Sequence, residues 1–177
     1  VFLFCFSLFV FRLPFLRRPK RTFPYPRTIK GAPMFTLKRT HTCGALRAAD
    51  TGHQVLSTVH SSNASQTIER ILAMFPPAEQ KTALSQLSSS IEGIISQRLV
   101  PHVSGGRIPA YEIMIVNSAI RNLIRENKIA QMYSAIQTGQ GAGMQTLDQN
   151  LTELVRRNVI SPAEARGKAK IPENFPG

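Results

Sequence analysis

The chain has 177 residues, room for one domain and a small appendage, and a formal charge of +12. That charge suggests a nucleic-acid or membrane partner, but residues 1–43 hold nine Lys/Arg and no acid, leaving thirteen basic and all ten acidic residues from 44 onward. The near balance of the body argues against a nucleic-acid-binding face there. Cys5 and Cys43, without CxxC spacing, offer neither a disulfide scaffold nor a zinc site, which fits a reducing cytoplasm.

The head opens on "VFLFCFSLFVF", an apolar run shorter than the ~20 residues of a membrane-spanning helix. Its charges follow the run, in "LRRPKRTFPYPR", where a secretory signal would carry them first. Pro14, Pro19, Pro24, Pro26 and Pro33 argue against a long helix or a central strand. Three readings remain open for residues 1–43: non-native sequence from a frameshift or mis-called start, a disordered basic tail, or a membrane anchor. All three predict a head that adds nothing to the fold.

From 44 onward the elements come in sequence. "GALRAADTGH" reads as the end of a helix stopped at Gly52. A strand over Gln54–His60 follows, with Val55, Leu56 and Val59 as its apolar members. Asn63 or Ser62 caps a helix whose Ile68, Ile71, Leu72 and Phe75 form one stripe, ended by Pro76 and Pro77. Pro77 suits the first turn of a second helix, with Leu84, Leu87, Ile91, Ile94 and Ile95 at helical spacing. "SQRLVPHV" and "RIPAYEIMIV" then predict a hairpin turning at Ser104-Gly105-Gly106.

The remainder is predicted helical. Ile120, Leu123 and Ile124 point inward while Arg121 and Arg125 share a solvated face. Ile129, Met132, Tyr133 and Ile136 make a further stripe, and Leu147, Leu151, Leu154 and Val155 another; Ser161 and Pro162 open a short last helix. The glycines at 139, 141 and 143 follow a helix and lack the Lys-Ser/Thr ending of a phosphate loop, so they read as a connection. The fold class is α/β: part of a sheet followed by an all-helical region. Strand 54–60 has no parallel neighbour within the body, which therefore resembles the back half of something larger.

His53 and His60 flank that strand. In open α/β sheets ligands bind beyond the carboxyl ends of strands, where His60 lies with Thr58 on the same side of the pleat. His53 is ~20 Å away along an extended strand, which excludes a shared metal. Spacing alone leaves both as ordinary surface or core histidines.

The wording of these segments carries a resemblance. "TGHQVLSTVHSSNASQTIERILAMFPP", "AIRNLIRENKIAQMYSAIQTG", "GMQTLDQNLTELV" and "ARGKAKIPENF" together resemble the carboxy-terminal part of the type IV pilus retraction ATPases, the twitching-motility family within the type II/IV secretion ATPases. The likeness runs from about Ala45 to Pro176. It implies the back half of a RecA-like P-loop NTPase core at 44–116 and an all-helical C-terminal region at 117–177. The family forms cytoplasmic hexamers at the base of the pilus machine, peripheral to the inner membrane, where ATP hydrolysis with Mg²⁺ drives pilus retraction. His53, Thr58 and His60 match its nucleotide-proximal histidine box, with His60 expected near the γ-phosphate. Ala119, Ile120, Arg121, Asn122 and Leu123 match its retraction motif, associated with force transmission.

The implied partners are a homo-hexamer or a full-length paralogue and the pilus platform, not nucleic acid. The family's P-loop and its Mg²⁺-placing acids do not occur in these 177 residues, and "MFTLKRTHTCG" stands where an acidic stretch is expected. The expectation is thus a truncated motor subunit without a complete catalytic site and without a metal site of its own. Two alternatives stay beside it: a pilus-assembly or type II secretion ATPase fragment, which the motif at 119–123 argues against, and a non-catalytic module that joins or poisons hexamers.

Overall fold

A computed structural model describes residues 6–11, 39–51, 53 and 55–175. Its four strands are β1 (Phe6–Phe11), β2 (Leu56–Val59), β3 (Ile91–Pro101) and β4 (Arg107–Ile115). They form one sheet in the order β2-β1-β3-β4, with every neighbouring pair antiparallel. Helix α1 (Arg39–Asp50) precedes β2; α2 (Ala64–Leu72) and α3 (Pro77–Ser90) separate β2 from β3. After the β3–β4 hairpin come α4 (Ser118–Arg125), α5 (Met132–Thr138), α6 (Leu147–Arg156) and α7 (Pro162–Arg166). This is the expected α/β arrangement with a helical C-terminal region.

Local chemistry accounts for the helices. Asn63 caps α2, its side chain accepting from the Gln66 amide at 2.8 Å, and Ile68, Ile71, Leu72 and Phe75 are all buried. Pro77 occupies the first turn of α3. Thr146 and Gln149 make a reciprocal capping box at α6, and Ser161 caps α7. In the hairpin turn Gly105 and Gly106 have φ of +93° and +78°, a region L side chains seldom adopt.

Two apolar cores share the hairpin. Ile91, Ile94 and Met114 join Leu46, Ile68, Leu87, Ile120, Ile124, Met132 and Ile136 in the larger one. Farther along the same hairpin, Val100 and Ala110 pack with Leu147, Leu151, Leu154, Ile160, Ala165 and Phe175. The helical region therefore closes onto the sheet.

The structure departs from expectation in four places. Phe6–Phe11 is paired between β2 and β3, at the centre of the sheet, although the head was expected to add nothing. The prolines that argued against a strand begin only at Pro14, after this β-prone run has ended. The boundary drawn at 43/44 falls inside α1. Strand 54–60 shortens to Leu56–Val59, because His53 belongs to the turn ending α1, its amide donating to Ala48 O at 3.0 Å.

The fourth departure is Ile91, Ile94 and Ile95, expected on the second helix but placed in β3. Opposite β1, Val10 pairs with Gly93 and Phe11 with Ile91, so Glu92 is an extra residue, a β-bulge. The bulge restores Ile91 and Ile94 to one face, and both are fully buried. Their three-residue spacing imitates a helix for that reason. Expectations on residues 1–5 and 12–38, and on Gly52 and Gln54, lie outside the described residues.

Candidate functional site

β2 ends at Val59 and α2 begins at Ala64, so His60-Ser61-Ser62-Asn63 forms the loop at the carboxyl end of the strand. His60 and Thr58 are exposed there on one side of the pleat, while Ser61 is buried. Hydrogen bonds hold the loop closely. The Ser61 and Thr67 hydroxyls meet each other, and Thr67 Oγ1 also donates to Asn63 O at 2.9 Å. Gln66 Oε1 accepts from the Ser62 amide at 3.2 Å and from the Ser62 hydroxyl. The result is a fixed platform presenting His60 beside the N-terminal end of α2, where the helix dipole favours an anion.

One buried acid supports that platform from the sheet. Glu112 of β4 accepts the Ala64 amide at 2.7 Å. Burial pushes its carboxyl above the ordinary range, opposed by the Ala64 and Leu147 amides and by the charges of Lys170 and Arg98. Sequence reading missed it, although the signal was there. Ala110, Glu112 and Met114 alternate along β4 and are all buried, so the acid lies at an inward position.

His53 is separate from this group. Its exposed ring meets Thr51 Oγ1 at 3.0 Å, and Thr51 Oγ1 donates back to Ala48 O at 2.9 Å. Thr58 and His60 thus share the carboxyl end of β2, and His53 stays at the other end, in the turn after α1.

The segment Ala119–Leu123 lies in α4, against α3. Ile120 is fully buried and Leu123 packs against the larger core, whereas Ala119 and Asn122 are exposed. Asn122 Nδ2 donates to Glu126 at 3.0 Å. Arg121 was expected on a solvated face and is instead a brace. Its Nη1 donates to Ser88 O and Ser89 O, both at 2.9 Å, and its Nη2 to Glu92 Oε1 at 3.1 Å. These partners belong to α3 and the bulge of β3, while the His60 loop is tied to α2 and β4.

The residues present fit one edge of a phosphate only through His60 and Thr58, because the amides of Ala64, Gln66 and Thr67 at the head of α2 are taken by Glu112 and Asn63. They do not fit Mg²⁺: the loop has no carboxylate, and Glu112 behind it is buried and engaged by the Ala64 amide. No group of three or more His, Cys, Asp or Glu suited to a metal occurs among the described residues. A cleft of about 240 Å³ between α1 and α3, lined by Cys43, Arg47, Phe75 and Glu79 among others, contains none of the predicted site residues. Among the described residues no helix is long and apolar enough to cross a membrane.

Known proteins resemble this chain in sequence and in fold. Residues 40–105 match the family model for type II/IV secretion system proteins. The type IV pilus retraction ATPase PilT of Pseudomonas aeruginosa is 56% identical over 131 residues, which are 74% of this chain and 38% of that protein. A twitching motility protein of Neisseria gonorrhoeae is 49% identical over 132 residues, 74% of this chain and 35% of its own length. A crystal structure of the pilus retraction motor PilT with bound ADP superposes with a TM-score of 0.68 at 44% identity, covering 76% of this chain and 37% of that one. The chain therefore spans less than two fifths of these relatives, and its fold is part of a RecA-like α/β core with attached helices. On its matched residues the chain belongs to the type II/IV secretion system protein family, in the branch of the pilus retraction ATPases.

Proposed function

We propose that this polypeptide contributes the back half of a subunit in a hexameric, ATP-driven motor that retracts type IV pili and powers twitching. The observation that carries this reading is the 56% identity over 131 residues to a retraction ATPase. It is supported by the intact motif Ala119–Leu123 on α4. In this reading residues 44–116 complete a RecA-like core and 117–177 form the region that passes movement on. ATP and Mg²⁺ are held mainly by residues outside this stretch, and His60, with Thr58 beside it, contacts the terminal phosphate from the end of β2. His53 steadies the entry to the strand. The assembled motor works in the cytoplasm against the inner-membrane platform of the pilus machine.

A hybrid tests it. Residues 45–175 replace the matching part of the Pseudomonas aeruginosa retraction ATPase, and the hybrid is assayed for ATP hydrolysis and, in a strain lacking its own enzyme, for twitching. Recovery of both supports the proposal. A folded, oligomeric hybrid without either activity overturns it.

A further inference from the structure

Thr67 is the polar member of a buried stripe. On α2, Ala64, Thr67, Ile68 and Ile71 recur at helical spacing and are all buried, Thr67 completely. Valine has nearly the same shape and would fill the position without a group that must be hydrogen-bonded, so the hydroxyl needs a reason. A helical threonine commonly satisfies itself on the carbonyl four residues back, and Thr67 Oγ1 does donate to Asn63 O at 2.9 Å. That bond uses its single proton, because a carbonyl only accepts. The Ser61 hydroxyl, which meets Thr67 Oγ1, is therefore the donor of that pair, and Ser61 is 3% exposed. Protons point from Ser61 to Thr67 and from Thr67 to Asn63 O. One buried oxygen thus ties the exit of β2 to the start of α2.

We infer that Thr67 is a positioning residue for His60: through the Ser61 hydroxyl it carries the pleat two residues past the end of β2 and sets the side on which the imidazole is presented. The inference deepens the reading of His60 as a phosphate-facing group and rests on it for its functional meaning. Mechanically it needs only the geometry. β2 pairs with β1 from Leu56 opposite Val10 to Val59 opposite Ser7, so the register stops one residue short of His60. Within the strand the pleat turns Val59 inward and leaves Thr58 exposed. Past its end the pairing with β1 no longer enforces that alternation, and Ser61 continues it. Val59 is buried, His60 exposed and Ser61 buried again, seated on Thr67. His60 is thereby kept on the side of the strand that bears Thr58. The other bonds of the loop act farther along: Gln66 Oε1 holds Ser62, and Asn63 Oδ1 holds the Gln66 amide. They fix Ser62 and Asn63, whereas the pair between residues 61 and 67 sets the residue next to the histidine.

Histidine ring signals and amide exchange by NMR on the full chain test the inference without nucleotide, so its failure is separable from failure of the proposed motor function. Thr67→Val keeps the shape and removes the acceptor; Ser61→Ala removes the donor. Each should shift the His60 ring signals and speed exchange of the Ser62 amide about fivefold, as the loss of one neutral hydrogen bond allows. The double variant should go no further than Thr67→Val alone, since both changes break the same bond. Thr67→Ser, which keeps the hydroxyl, should leave both readouts at their parental values. The ring signals of His53, at the other end of β2, and the exchange of the Ile94 amide in the sheet should be unchanged throughout. Unmoved His60 signals in Ser61→Ala overturn the inference, whether or not Thr67→Val folds. So do additive shifts in the double variant and a Thr67→Ser chain displaced as far as Thr67→Val. Loss of Ile94 protection in step with Ser62 also overturns it, because the hydroxyl then serves general stability.

Discussion

Removing the Arg121 guanidinium should destabilise the protein far more than an ordinary surface substitution. Helix α3 ends at Ser90 and the chain enters β3 at Ile91, which leaves no room for a glycine cap. Its last turn also has no basic residue of its own. Arg121 supplies from α4 what α3 lacks, a cation and two donors for the carbonyls of Ser88 and Ser89. A hydrogen bond from a charged donor contributes about 1.5–3 kcal/mol, and a cation at a helix C-terminus about 0.3–1 kcal/mol. The side chain is 25% exposed, which reduces both figures, and the pair with Glu92, itself 36% exposed, adds little. The net expectation for Arg121→Ala is a loss of about 2–3 kcal/mol, or roughly 4–12 °C in Tm for a chain of this size. Arg121→Lys keeps the charge but not the forked donor and should cost about half as much. Urea unfolding with a common m-value measures both. A loss under about 0.5 kcal/mol for Arg121→Ala returns the residue to the surface class and refutes the bracing role. The consequence for motility is direct: a twitching defect in an Arg121 variant is first a stability defect, and coupling is better sought at exposed Asn122 and Arg125.

In the hybrid motor, His60→Ala should raise the barrier to hydrolysis by about 2–4 kcal/mol with the folded state intact, and His53→Ala should cost less; equal, parental turnover in both removes the phosphate contact. The 177-residue chain alone should release no phosphate from ATP above buffer, since it contains no Gly-x₄-Gly-Lys-Ser/Thr loop, and sustained turnover by pure protein contradicts that. Glu112, whose carboxyl burial holds above the ordinary range, binds its proton in the fold before it does so unfolded. Stability relative to Glu112→Gln should therefore rise as pH falls through that raised value toward the ordinary glutamate range, and a difference that is flat or shrinks on acidification refutes it. Deleting residues 1–11 exposes the facing edges of β2 and β3 and should lower Tm and promote association; an unchanged monomer with parental Tm makes β1 dispensable.

Much of the fold was legible because the body obeys local rules. Asn63, Pro77 and Ser161 start helices as expected, and Gly105-Gly106 turns the hairpin. The failures come from pairing across distance. Ile91 and Ile94 look helical because a bulge at Glu92 alters the two-residue parity of a strand, and only β1, some eighty residues upstream, reveals the bulge. β1 itself was discounted by prolines that lie beyond it. No periodicity in an eleven-residue, mostly apolar run says which slot in a sheet it will enter.

The candidate site was legible in a different measure. His60 at the end of β2 follows from strand and loop alone, and Thr58 follows with it. The buried supports of the site and of the retraction motif are not legible in this way, because each joins residues far apart in the chain. Glu112 reaches Ala64 across 48 positions, and Arg121 reaches Ser88 across 33. A polar residue in an apolar run marks such supports more reliably than helical face does. Glu112 interrupts "AYEIMIV" at an inward position, and burial there requires partners. Arg121 sits on the side of α4 that a helical wheel assigns to solvent, yet α3 ends beside it with open carbonyls. A helix end that has neither glycine nor a basic residue must find its partners elsewhere. In this chain that requirement, rather than the amphipathic face, explains why an arginine stands at 121.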